Sequence, residues 1–177
     1  MTPHILTVSG NYFNFEFPEQ STYTIEDIGH ATANFCRFTG HVTSFYSVAE
    51  HCTRGSYEIA PEHALAFLLH DAAEGFTGDV STPLKMMIKP LYGPIEERVE
   101  RAILTKFGLS YPLHPDIKKM DLIMLASEKR DLMPASGGEW DMLKGVKPLG
   151  KIIKPWSPKK AKRMFLERFY ELTEKVC

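Results

Sequence analysis

The chain has 177 residues, 44% of them hydrophobic and 24% charged, with 21 basic and 22 acidic side chains and a formal net charge of -1. These proportions exclude a disordered or low-complexity chain and give no global electrostatic case for a nucleic acid polymer as partner. The longest apolar runs, such as 64-ALAFLL-69, are too short to cross a bilayer, and no basic region followed by an apolar stretch opens the chain, so neither membrane insertion nor export is expected.

In chain order, 1-MTPHILTVSGNYFNFEFPEQ-20 alternates apolar and polar residues around Gly10-Asn11 and predicts a short β-hairpin or extended arm. From Thr24, a helix cap, Ile25, Ile28, Ala31, Thr32 and Phe35 recur at helical spacing and predict a first helix through about Phe38. A second helix is expected from Ser44 to Ile59, its middle weakened by Gly55. Pro61 suits the first turn of a third helix running to Gly75 or Phe76. After the loop 77-TGDVSTP-83, a short helical turn covers Leu84 to Ile88, a fourth helix Pro94 to Phe107 and a fifth Pro115 to Leu132. Residues 134 to 150 are loop-rich, and Pro158 opens a last amphipathic helix to about residue 175. The expectation is one all-α domain over residues 1–177, a compact helical bundle with core about 24–133.

Cys36, Cys52 and Cys177 are odd in number and lack CxxC spacing, which disfavours a disulfide framework or a cysteine zinc site and fits a reducing cytoplasm. From Lys144 to Arg163 the chain carries bases and no acid, which reads first as a solvated face. Phe38, Phe76 and Tyr46 could stack on a base, but core packing is the default for such aromatics.

The anomaly lies in 68-LLHDAAEGFTGD-79. On a helical wheel the surrounding Leu and Ala residues cover most of the circumference, so this segment belongs inside the protein. His70, Asp71 and Glu74 nevertheless share one sector of it. Ionised groups taken out of water cost several kcal/mol unless a cation, an ion pair or a wet cleft compensates them. Imidazole and carboxylate together suit a first-row divalent metal. His51 in 48-VAEH-51 and Asp121, on an inward stripe with Ile117, Met120 and Met124, are the candidates for completing such a set.

The pattern 36-CRFTGH-41, 48-VAEH-51, 70-HDAAEGFTGDVSTPLK-85 and Asp121 resembles the HD-domain metal-dependent phosphohydrolases, closest to the branch of bacterial 5′-deoxynucleotidases, prophage-type proteins and phage deoxynucleoside triphosphate hydrolases. The resemblance implies an HD-domain helical fold and a divalent ion (Co, Mn, Zn, Fe, Ni or Mg) held by His51, His70, Asp71 and Asp121. It further implies catalytic roles for Glu74 and Asp79, and substrate contacts from Arg37, Phe38 and Lys85; Phe38 stands where the nucleotidases carry Trp. A homodimer or larger assembly is implied as well. The expected activity is release of phosphate from deoxynucleoside 5′-monophosphates. The alternatives are triphosphate or pyrophosphate release from deoxynucleoside triphosphates, or a non-catalytic nucleotide-binding module that keeps a metal for stability.

Overall fold

The computed structural model describes residues 2–135 and 137–174; Cys177 and the expected end of the last helix at residue 175 lie outside them. It is mainly helical, with one small antiparallel sheet. Strand β1, His4–Leu6, pairs with β2, Tyr12–Asn14, in the register Ile5 opposite Phe13. The hairpin is tied down by Asp27, whose carboxylate accepts hydrogen bonds from the Ser9 amide at 3.0 Å and the Ser9 hydroxyl at 2.9 Å. The same carboxylate accepts from the Thr24 amide at 3.0 Å and completes the capping box that starts α1, Ile25–Asn34.

Helix α1 ends four residues before the expected Phe38, because the backbone turns extended at Phe35 and Cys36 forms an isolated bridge to Ser47. Phe38 and Thr39 then take left-handed conformations, φ 57° and 54°, which are strained for side chains other than glycine. Ser47 caps α2, Val48–Ser56, by accepting from the Glu50 amide at 3.1 Å, so α2 is shorter at both ends than the expected Ser44–Ile59. Helix α2 is central: it packs against α1, against α3, Ala64–Leu69, against α6, Pro115–Leu132, and against α7, Pro158–Glu174. Charge is therefore buried on it, and Glu50 is compensated by Arg54 Nε at 2.8 Å and the Trp156 amide at 2.7 Å. Gly55 lies in its last turn rather than its middle.

The continuous third helix expected from Pro61 to Gly75 is broken. Residues 61–63 form a 3-10 turn, α3 stops at Leu69, and α4 covers only Glu74–Thr77. Between them the amides of Ala72, Glu74, Gly75 and Phe76 bond back three residues instead of four, so the helix tightens where the HD pair stands. The two segments expected at 84–88 and 94–107 are instead one element, α5, Thr82–Lys106, with Pro90 and Pro94 inside it. It cannot be straight: eleven residues of ideal helix rise roughly 16 Å, yet Lys85 Nζ lies 2.5 Å from Glu96 Oε1, so the axis bends at the prolines. Helix α6 begins and ends as expected, with His114 accepting from the Asp116 amide and Pro115 in the first turn.

One core of Phe13, Ile28, Val48, Leu68, Ile103, Phe165 and their neighbours joins the hairpin to α1, α2, α3, α5 and α7. Phe76 stacks on Phe13 with ring centres 3.9 Å apart, and Tyr46 is fully buried, so both aromatics are core residues as their helical spacing led us to expect. No described helix is long and apolar enough to cross a membrane.

Gly55 is required by a close approach, because a Cβ there would lie 2.0 Å from the Phe67 ring. Gly55→Ala is expected to destabilise the protein by about 1–3 kcal/mol through overpacking, against the roughly 1 kcal/mol that alanine normally adds in a helix. Urea unfolding checks this, and unchanged or raised stability would show that Phe67 swings clear.

Candidate metal centre

Two helices and one turn bring the polar residues together. Helix α2 presents His51 with no exposed surface, the tightened turn after α3 presents His70 and Asp71, and α6 presents Asp121. His51 Nε2 lies 3.4 Å from His70 Nε2, 3.4 Å from Asp121 Oδ1 and 3.8 Å from Asp71 Oδ2. His70 Nε2 lies 3.3 Å from Asp71 Oδ1 and 4.0 Å from Asp121 Oδ1. Ligands held about 2.0–2.2 Å from one ion are separated by roughly 3–4.3 Å, so these spacings fit a single divalent centre. His51, His70 and Asp121 form one group with donor atoms within 4.8 Å of one another, and Asp71 falls in a second with Cys52 and His70, its Oδ2 also taken by Arg37.

The imidazoles are oriented for the same purpose. His70 Nδ1 lies 2.7 Å from the Phe67 carbonyl, which can only accept, so the proton sits on Nδ1 and the Nε2 lone pair faces inward. His51 Nδ1 lies 2.5 Å from Glu128 Oε1, which leaves its Nε2 to the centre in the same way. Sequence reasoning missed Glu128, although the signal was present: it follows Asp121 by seven residues and Met124 by four, on the inward stripe of α6.

Arg37 is carried in by the strained connection after α1. Its Nη1 lies 3.2 Å from Asp71 Oδ2 and its Nη2 3.3 Å from Glu128 Oε2, and its Nε is buried without a partner among the described residues. Phe38 is half-buried under the Arg37 guanidinium and faces Trp140 at 6.2 Å. A cleft of about 330 Å³ opens onto the centre, lined by His70, Asp71, Glu74, Lys85, Glu100 and Asp121 among others. Phe38 and Asp79 do not line it. Inside the cleft, Glu74 Oε1 lies 3.6 Å from Lys85 Nζ, while its Oε2 is buried with no hydrogen-bond partner among the described residues.

Burial and Arg37 work to lower the His51 pKa, but Glu128 and Asp121 outweigh them and hold it at about 9. Burial alone would raise the Asp121 carboxyl, yet the hydrogen bond to His51 and the charges of His70 and His51 put it well below the usual carboxylate range. Glu74 moves the other way, well above its ordinary value, through burial and then the charges of Asp71 and Asp79. Asp79 is raised chiefly by burial. Glu100, across the cleft, is raised to about 7 by burial and then by Glu96 and Asp71.

Larger depressions, of about 490 Å³ beside Trp140 and about 720 Å³ beside Pro90 and Tyr111, assemble no comparable set of histidine and carboxylate donors among the described residues. Chemistry rather than volume marks the site. A further group, His63, His114 and Asp116, is a weaker candidate: its imidazoles stack nearly parallel, 4.4 Å apart at 18°, so their in-plane lone pairs do not converge, and Lys119 holds Asp116 at 2.6 Å.

The fold and site thus define a mainly helical protein with a partly buried His and Asp group that could hold a divalent ion. The chain is 38% identical to the uncharacterized protein YfdR of Escherichia coli (strain K12) over 172 residues, 96% of each chain. It is 32% identical to an uncharacterized protein of Rhodobacter capsulatus, RCAP_rcc00048, over 151 residues, 78% of this chain and 77% of the other. It belongs to the family of YfdR. No family model matches it.

The pKa directions set a pH dependence for the ion-free protein. His51, raised from 6.5 to about 9, contributes stability that is complete below pH 6.5 and lost as pH rises through 9. Glu100, raised from 4.5 to about 7, and Glu74, also raised, act in the same direction. Chelator-treated protein should therefore melt at a lower temperature above pH 9 than at pH 6.5, and an added divalent ion should reverse the loss. A melting temperature that holds or rises over this range contradicts the assignment.

Proposed function

We propose that this protein is an HD-type metal-dependent phosphohydrolase of the cytoplasm, acting on deoxynucleoside 5′-monophosphates and releasing phosphate. The observation that carries the reading is the grouping of His51, His70 and Asp121 with donor atoms 3.4 to 4.0 Å apart and Asp71 beside them, where a cleft that also holds Glu74 opens onto His70, Asp71 and Asp121. The free thiols of Cys36 and Cys52 support a reducing compartment.

These four residues would hold the ion, which when bound supplies charge neutralisation at a phosphoryl group and lowers the pKa of a coordinated water. The nitrogen and oxygen donors suit Mn, Fe, Co, Ni or Zn. Glu74 is the general base: its Oε2 has no hydrogen-bond partner among the described residues, and burial and then the charges of Asp71 and Asp79 make it a stronger proton acceptor than an ordinary carboxylate. Lys85 lines the cleft beside it and offers a positive charge to a phosphate, while Glu96 at 2.5 Å restrains the ammonium. Arg37 contributes its charge from behind Asp71. Phe38 packs outside the cleft lining and supports that arginine. Asp79 acts through the field it exerts on Glu74.

The cleft favours a monophosphate over a triphosphate. Asp71, Glu74, Glu96, Glu100 and Asp121 line it against the cations Lys85 and Lys118, and at about 330 Å³ it lies at the small end of ligand sites. An extended polyanion would meet acidic walls there.

The test is a screen of nucleoside mono-, di- and triphosphates with several divalent ions, products identified by mass. Deoxynucleoside monophosphates should yield phosphate and nucleoside, and chelation should abolish turnover. Intact triphosphate as product would replace the substrate assignment. Glu74→Ala should lower turnover about 10²–10⁴-fold with ion content and fold retained; unchanged turnover refutes its role.

A further inference from the structure

Outside the donor set, a chain of contacts joins two of its members from behind. Glu128 has no exposed surface, and its two oxygens are divided: Oε1 lies 2.5 Å from His51 Nδ1 and Oε2 lies 3.3 Å from Arg37 Nη2. Arg37 in turn reaches Asp71 Oδ2 at 3.2 Å. His51, Glu128, Arg37 and Asp71 thus form a bracket whose two ends are ligand candidates and whose middle, Glu128 and Arg37, does not line the cleft.

We infer that Glu128 is a positioning residue which fixes His51 as an Nε2 ligand and, through Arg37, fixes the carboxylate plane of Asp71. This rests on the metal-centre reading above and extends it to a residue that lies outside the cleft. The physical basis is threefold. A carboxylate accepting from Nδ1–H removes the alternative tautomer, in which Nε2 would carry the proton and could not coordinate. It also raises the basicity of the ring and locks its rotation, the usual role of a carboxylate behind a metal-bound histidine. The guanidinium is a rigid planar fork, so a displacement of Glu128 is passed to Asp71 rather than absorbed by a flexible chain.

The arrangement is also balanced in charge. Burial works to raise the Glu128 carboxyl, but Arg37 and His51 outweigh it and keep it ionised. Arg37 is in turn held by Glu128 and Asp71. Each member is thus compensated before any ion arrives, which allows the donors to stand at ligand spacing in the ion-free protein.

The experiment titrates Zn²⁺ into chelator-stripped wild type, Glu128→Gln and Glu128→Asp, with a competing chromophoric chelator reporting affinity and thermal melts of the ion-free forms reporting fold. The inference predicts that folded Glu128→Gln binds Zn²⁺ about 10–100-fold more weakly, with Glu128→Asp recovering part of the loss. Folded Glu128→Gln with wild-type affinity overturns it. Should Glu128→Gln fail to fold, ¹⁵N spectra of Zn²⁺-loaded wild type decide: a protonated Nδ1 and coordinated Nε2 on His51 support the inference, and the reverse assignment overturns it. Wild type that takes up neither Zn²⁺ nor another divalent ion refutes the metal centre itself, and the inference with it.

Discussion

A carboxylate and an imidazole with no exposed surface, Glu128 and His51, face each other across the contact between α2 and α6. Removing such groups from water costs several kcal/mol each unless they are mutually paired, so neither helix can slide or rotate without isolating a charge. That pairing sets the register of α6 on α2, and with it the position of Asp121 relative to His51. Arg37 extends the constraint to the turn after α3, which explains why a strained, left-handed pair at Phe38 and Thr39 is tolerated: the connection is held at a defined place by the guanidinium at its head.

The broken helix around His70 has a similar logic. An unbroken α-helix bonds each carbonyl four residues on; here the Phe67 carbonyl instead faces the ring nitrogen and, at 3.5 Å, the amide of His70 itself. The tightened turn thereby supplies the acceptor that orients the ring. Local distortion and ligand orientation are one event. On the far wall of the cleft, α5 supplies Glu96, Glu100 and Lys85, so the donor set is faced by charged side chains alongside the apolar Leu113 and Ile117.

Much of this was legible in the chain. The Thr24 cap, the hairpin at Gly10-Asn11 and the limits of α6 follow from local capping and turn chemistry, which depends little on tertiary context. The grouping of His51, His70 and Asp121 was legible because buried polar residues on apolar faces demand a common explanation. The break at residues 70–73 was not, since a uniform apolar pattern reads the same whether amides bond back three residues or four. Nor was the continuity of α5: proline signals a boundary, and a bent helix crossing two of them is a tertiary outcome. Glu128 lay on a stripe already recognised, but one acid seven residues beyond another does not by itself reveal that it faces a histidine.

The bend in α5 sets the breadth of the cleft mouth. Lys85 and Glu96 sit on opposite arms of the kinked helix and are joined at 2.5 Å, while Lys85 also approaches Glu74 from the same side. One ammonium therefore pins both arms to the floor of the cavity. The width of the cleft between that wall and Glu74 is thus tied to the placement of one lysine side chain.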